Sequence, residues 1–199
     1  RKAGAKDYKN YCLKIIKSCK NKPVSLEVFA DSNKEMEKQG LTISNWGKNV
    51  YVKIPIINSK GIFTGKTIRK LNNNNVKLNI TAVYSVAQVQ KIIRVINKKT
   101  KVIISIFAGR AGDTGIDPIR VFKKSLKLTN KFKNVEILWA SVREPYNYTQ
   151  AKNLGCQIIT IPPKIIEKIE KFGKSLNQLS LETVKGFLID SKKSKFRLM

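Results

Sequence analysis

Residues 102–115 read VIISIFAGRAGDTG, and residues 116–131 continue IDPIRVFKKSLKLTNK. The first six of these, Val102–Phe107, form a near-continuous apolar run rich in β-branched residues, as a strand buried on both faces requires. A glycine-rich loop follows, and Asp117–Lys131 then carries a helical period. Strand, connection and helix in that order make one βα unit. Working outward, the same alternation recurs along the chain. Strands are predicted at Val24–Ala30, Val50–Ile56, Val76–Ala82, Val102–Phe107, Val135–Ser141 and Gln157–Ile161. Helices are predicted at Asp7–Lys20, Lys34–Trp46, Thr67–Leu71, Val86–Asn97, Asp117–Lys131, Tyr148–Leu154 and Pro163–Phe172, and at Leu181–Asp190 with Ser180 as its N-cap. A helix followed by repeated βα units calls for a parallel sheet with right-handed crossovers. Spacings of about 25 to 35 residues per unit suit a doubly wound sheet or a TIM (β/α)8 barrel. No G-x-G-x-x-G follows any strand, so dinucleotide binding has no support and the barrel is the preferred α/β reading. A complete barrel has eight strands. This chain is therefore expected to cover about strands 3 to 8 with their helices, as one N-terminally incomplete domain over residues 1–199. The open edges of such a sheet, lined with Val and Ile, invite pairing with other chains.

Composition narrows the partners. The 199 residues are 42% hydrophobic and 27% charged, enough for one domain with a real core. No apolar run is long enough to span a membrane, and RKAGAKDYKN at the N-terminus is unlike a signal peptide. Cys12, Cys19 and Cys156 form no C-x-x-C pair and read as reduced thiols of a cytoplasmic protein. The absence of histidine removes His-based triads, His metal sites and histidine general bases. Forty basic against 13 acidic residues give a formal charge of +27, which by itself suggests a polyanion partner. The basic residues are spread along the chain, however. Arginine occurs only at positions 1, 69, 94, 110, 120, 143 and 197, and the lysine excess is accompanied by Ile and Asn. That pattern fits compositional bias, so nucleic acid and membranes are not expected partners. Phosphorylated small molecules and further copies of the chain in a homo-oligomer are.

Several polar residues interrupt the apolar strands. Alternation puts Val50, Val52, Ile54 and Ile56 on one face of their strand and Tyr51, Lys53 and Pro55 on the other. Lys53 is then a lysine directed into the barrel, either a nucleophilic amine or the structural partner of a buried carboxylate. Glu27 breaks SLEVFA, Asn79 and Thr81 share one face of KLNITAV, Ser105 and Phe107 share one face of IISIF, and Ser141 ends ILWAS. These positions lie in the later part of their strands, where barrels build active sites. A satisfied polar network without chemistry is the alternative. Arg110 in FAGRAGDTG and Arg143 in WASVRE directly follow strands, and guanidinium forks at that rim suit a phosphate monoester.

Taken in order, SLEVFAD, WGKNVYVKIP, VKLNITAVYS, VIISIFAGRAGDTG, ILWASVRE and GCQIITIPP resemble consecutive strands of the transaldolase family, from about Val24 to Pro163. SLETVKGF resembles that family's C-terminal helix. The resemblance implies a Schiff-base (β/α)-barrel transferase without metal or organic cofactor. Such an enzyme moves a dihydroxyacetone unit from a ketose phosphate to an aldose phosphate in the pentose phosphate pathway. By motif, Lys53 corresponds to the Schiff-base lysine, Glu27 to the acid/base residue acting through a water, and Thr81 to the hydroxyl holding that water. Asn79 and Ser105 correspond to substrate-hydroxyl contacts, Arg110 and Arg143 to phosphate binders, with Ser141 and Phe107 completing the substrate pocket. The related fructose-6-phosphate aldolases typically carry Gln in place of Glu27 and Tyr in place of Phe107, so these two residues favour transfer over simple aldol cleavage. The family's first-strand Asp and its T-T-N-P-S motif have no counterpart in the 199 residues. The other readings are an aldolase that releases dihydroxyacetone, a basic nucleic-acid-binding module, and an inactive barrel fragment.

Overall fold

A computed structural model describes residues 6–196. Six parallel strands pair in sequence order: β1 (Val24–Glu27), β2 (Val50–Pro55), β3 (Leu78–Val83), β4 (Val102–Phe107), β5 (Val135–Ala140) and β6 (Ile158–Ile159). Each strand bonds to the next, for example Leu26 opposite Val52 and Ile104 opposite Ile137. Helices alternate with them: α1 (Tyr8–Ser18), α2 (Asn33–Ser44), α3 (Gly65–Asn73), α4 (Val86–Ile93), α5 (Ala108–Gly112), α6 (Ile119–Thr129) and α7 (Tyr146–Leu154). The result is a curled half-barrel, a partial TIM-type (β/α) architecture. β1 and β6 stand at its edges.

Alternation splits the strand residues into two cores. Val52, Ile54, Ile56, Leu78, Ile80, Ile104, Ile137 and Trp139 are wholly buried on the helix-covered face, where Phe122 of α6 stacks on Trp139 at 4.3 Å between ring centroids. Each such side chain contributes about 1.5–3 kcal/mol by leaving water, and this outer layer holds the helices on the sheet. The inner face carries a smaller apolar floor of Tyr51, Ile103, Leu138 and Ala140, with Phe107 and Ile158 packed against it.

The structure departs from the sequence expectation in its details. β1 ends at Glu27 and not at Ala30, because the backbone amides of Phe29 and Ala30 turn away to the Gln39 side-chain oxygen. β3 runs through to Val83 and carries a bulge. Ile80 faces Ile104 and Val83 faces Ile106, so β3 spends one residue more than its neighbour, with Ala82 left-handed at φ 58°. The extra residue leaves Asn79 and Thr81 inward and turns Val83 back into the outer core. Arg110 lies not in a loop but in the short helix α5.

The described residues fall into two compact units, one up to Ile161 and the other from Pro162 onward. The second contains α8 (Pro163–Ile169) and α9 (Leu176–Ser194). α9 starts at Ser175, whose hydroxyl accepts from the Gln178 amide, and not at the expected Ser180. Its first turns are further held by the Lys174–Glu182 ion pair. Among the described residues no helix is long and apolar enough to cross a membrane.

Candidate active site

The concave face of the sheet encloses a cavity of about 640 Å³. Its wall includes Ser25 from β1, Lys53 from β2, Asn79 and Thr81 from β3, Ser105 and Phe107 from β4, Glu136, Leu138 and Ala140 from β5, and Ser141 beyond it. Seven of the nine expected site residues therefore meet at or beside one space: Lys53, Asn79, Thr81, Ser105, Phe107 and Ser141 on the wall, and Glu27 next to them. Register explains the layer. Glu27 lies opposite Lys53, and Lys53 opposite Asn79, so three adjacent strands present these groups at one height.

Lys53 Nζ stands 3.4 Å from Glu27 Oε2, with the lysine side chain 30% exposed and the glutamate 48%. The amine is thus in reach of a carboxylate and open to solvent. Glu27 itself faces a neighbouring groove of about 410 Å³ with Tyr8, Phe29 and Trp46. Tyr8 packs on both rings there, and burial, with a hydrogen bond to Cys12, pushes its phenol up to about 12.

Below the amine, polar groups satisfy one another. Ser105 Oγ donates to Asn79 Oδ1 at 2.7 Å, and Asn79 Nδ2 donates to Ser25 Oγ at 2.9 Å. This chain fixes the Asn79 amide plane across three strands and leaves one Nδ2 hydrogen free to donate. Thr81 Oγ is buried with no hydrogen-bond partner among the described residues, an arrangement folded proteins seldom leave uncompensated. Ser25 and Glu136 were missed by the sequence reading. Ser25 lies two residues before Glu27, so strand alternation carried the signal for its inward direction. The phenol of Tyr51, in the apolar floor of the inner face, is raised by burial and then by the nearby Glu136 carboxylate.

The two arginines follow β4 and β5 at the strand-end rim and are not on the cavity wall; Arg143 lines a separate groove of about 300 Å³ with Asp113, Glu144 and Asn147. Arg110 places its guanidinium 5.6 Å from the centre of the Phe107 ring, which also packs on Tyr84 at 5.7 Å. Arg143 is paired with Asp113 at 2.6 Å, both about half exposed. Hydrogen bonds from Arg143 hold the Asp113 carboxyl below the ordinary range. Its folded value is the lower one, so the pair stabilises at neutral pH and is lost as pH falls through that value. Half-exposed pairs of this kind contribute little to overall stability. α5 and the segment after β5 touch at Gly109, where an added Cβ would collide with the Ser141 carbonyl oxygen. Ser141 is itself left-handed at φ 64°, a conformation costing about 1–3 kcal/mol that neighbouring contacts must hold. Gly109→Ala should therefore lower stability by about 1–3 kcal/mol, read as a lower denaturant midpoint at unchanged slope. An unaltered midpoint would show that the close approach is dispensable.

Burial alone pushes the Cys156 thiol up to about 12, which keeps it protonated and inert. All three cysteines are free. Among the described residues no group of three or more Cys, Asp or Glu side chains is placed to hold a metal ion.

An amine-bearing strand facing the interior of a parallel (β/α) sheet, with hydroxyl and amide groups around it, defines a partial (β/α)-barrel with a polar site on its concave face. The family model described as transaldolase/fructose-6-phosphate aldolase matches residues 5–198. Proteins named probable transaldolase are similar over most of the chain. The one from Sulfurihydrogenibium is 36% identical over 160 residues, covering 79% of this chain and 69% of its own length. The one from Nitrosopumilus maritimus is 30% identical over 196 residues, covering 98% and 81%. That from Herpetosiphon aurantiacus is 26% identical, covering 95% and 79%. The chain belongs to the transaldolase/fructose-6-phosphate aldolase family.

Proposed function

We propose that the protein is a transaldolase using a Schiff base on Lys53. It would transfer a dihydroxyacetone unit from sedoheptulose 7-phosphate or fructose 6-phosphate to an aldose phosphate, as a cytoplasmic step of the pentose phosphate pathway. The observation that supports this best is the placement of Lys53 on the cavity wall, 3.4 Å from Glu27. The amine attacks the ketose carbonyl, and the carbinolamine loses water to give a protonated imine. Glu27 manages the proton transfers through a water held by the otherwise unpartnered Thr81 hydroxyl. The imine draws in the electron pair as the carbon–carbon bond breaks, the aldose leaves, and a three-carbon enamine stays on Lys53. The enamine carbon then attacks the aldehyde of the acceptor, and hydrolysis of the new imine frees the amine. Asn79 and Ser105 would hold the donor hydroxyls, Arg110 and Arg143 take the distal phosphate, and Ser141 and Phe107 complete the pocket wall. The base for carbon–carbon cleavage is not among these residues.

Glu27 and Phe107 favour transfer over release of dihydroxyacetone. With fructose 6-phosphate and erythrose 4-phosphate, the expected products are sedoheptulose 7-phosphate and glyceraldehyde 3-phosphate. Omitting the acceptor should suppress turnover. Release of free dihydroxyacetone at an equal rate without acceptor would mark an aldolase instead. Arg110→Ala should raise KM for phosphorylated donors by about tenfold to a hundredfold, the worth of a charge-assisted contact of about 1.5–3 kcal/mol. Free fructose should be affected far less. An equal loss on both donors would remove Arg110 from the phosphate site.

A further inference from the structure

Arg143 does not approach the rim as a free side chain. Its Nε donates to Asp113 Oδ1 at 3.1 Å and Oδ2 at 3.0 Å, and its Nη2 donates to Oδ2 at 2.6 Å. The side-on edge of the guanidinium is therefore filled, while among the described residues Nη1 makes no hydrogen bond. Asp113 closes the C-terminal end of α5, the helix that carries Arg110. A second, independent contact joins the same two segments: at Gly109 an added Cβ would meet the Ser141 carbonyl oxygen and, at 2.8 Å, Arg143 Cγ. The backbone approach brings the two βα units together, and the carboxylate then sets where the arginine of one unit stands relative to the arginine of the other.

We infer that Asp113 is a positioning residue for phosphate recognition, gripping Arg143 side-on so that its remaining edge is presented, beside Arg110, to a phosphate monoester. This rests on the proposed function in taking the two arginines as the phosphate site. An arginine is a long side chain with many rotamers, and its fork binds an oxyanion well only when its plane is fixed. Asp113 supplies that constraint at the cost of one negative charge near the ligand. If the charge mattered more than the constraint, Asp113 would act as a competitor of phosphate. The two roles predict effects of opposite sign.

The test compares wild type, Asp113→Asn, Asp113→Glu, Arg143→Ala and the Asp113→Asn/Arg143→Ala double variant. Inorganic phosphate binding is measured by calorimetry, and KM and kcat are measured with fructose 6-phosphate and with free fructose. Asp113→Asn should weaken phosphate binding about threefold to tenfold and raise KM for fructose 6-phosphate by a similar factor. It should leave kcat and the constants for free fructose within about twofold. Asp113→Glu should recover most of the loss, and Asp113→Asn should add nothing once Arg143 is Ala. Tighter phosphate binding in Asp113→Asn, or an undiminished further loss in the Arg143→Ala background, would overturn the inference. Phosphate binding is read without turnover. A protein that binds phosphate in this pattern but forms no imine would refute the proposed function and leave the role of Asp113 standing.

Discussion

Lys53→Arg should abolish turnover while leaving the fold intact. A guanidinium keeps its charge at any working pH and cannot form an imine with a ketose, whereas its length and apolar stem are close to those of lysine. The substitution also keeps a cation beside Glu27, which in wild type lies 3.4 Å from the amine. Loss of activity is thereby separated from loss of the ion pair. Circular dichroism and the denaturation midpoint should match wild type, because the side chain is 30% exposed and is not part of the packed outer core. Phosphate binding should persist as well, since the rim arginines are untouched. Substantial residual transfer by Lys53→Arg would mean that another group carries the chemistry.

The second large effect is expected from Glu27→Ala. General acid–base groups contribute about 10²- to 10⁴-fold, and Glu27 is the carboxylate nearest the amine on the adjacent strand, fixed there by the register that sets it opposite Lys53. The loss should fall on kcat, with KM for fructose 6-phosphate nearly unchanged, because Glu27 stands on the β1 side of Lys53, away from the rim arginines. Imine trapping should be slowed but should still mark Lys53. A change in kcat of less than about tenfold would reduce Glu27 to the structural partner of a lysine, the other role that its position in the strand allows.

How much of this was readable from the residues depends on the range of the interactions involved. The four inner strands were legible because each is an apolar run buried on nearly its whole length, and the inward direction of Lys53, Asn79, Thr81, Ser105 and Phe107 follows from alternation within a single strand. The bulge at Ala82 was not, because it exists only relative to the register of β4. It matters to the site, since it keeps Thr81 inward while returning Val83 to the outer core. The left-handed Ser141 was equally hidden, as was the pairing of Asp113 with Arg143, a contact between segments 30 residues apart. α5 was obscured by its composition: AGRAG reads as a loop, and only the packing of Gly109 on Ser141 shows why a glycine opens that turn of helix. Read as helix, the spacing of Arg110 and Asp113 would have put both on one side of it. The early start of α9 has a simpler cause. Two serines, at positions 175 and 180, precede helical sequence, and the structure uses the first.

The most direct test of the account is borohydride reduction in the presence of fructose 6-phosphate, followed by peptide mass spectrometry. The Schiff-base reading predicts a reduced sugar-derived adduct on the peptide containing Lys53, absent from Lys53→Arg and dependent on the ketose. An adduct on a different lysine with Lys53 unmodified, or turnover without any reducible intermediate, would contradict it.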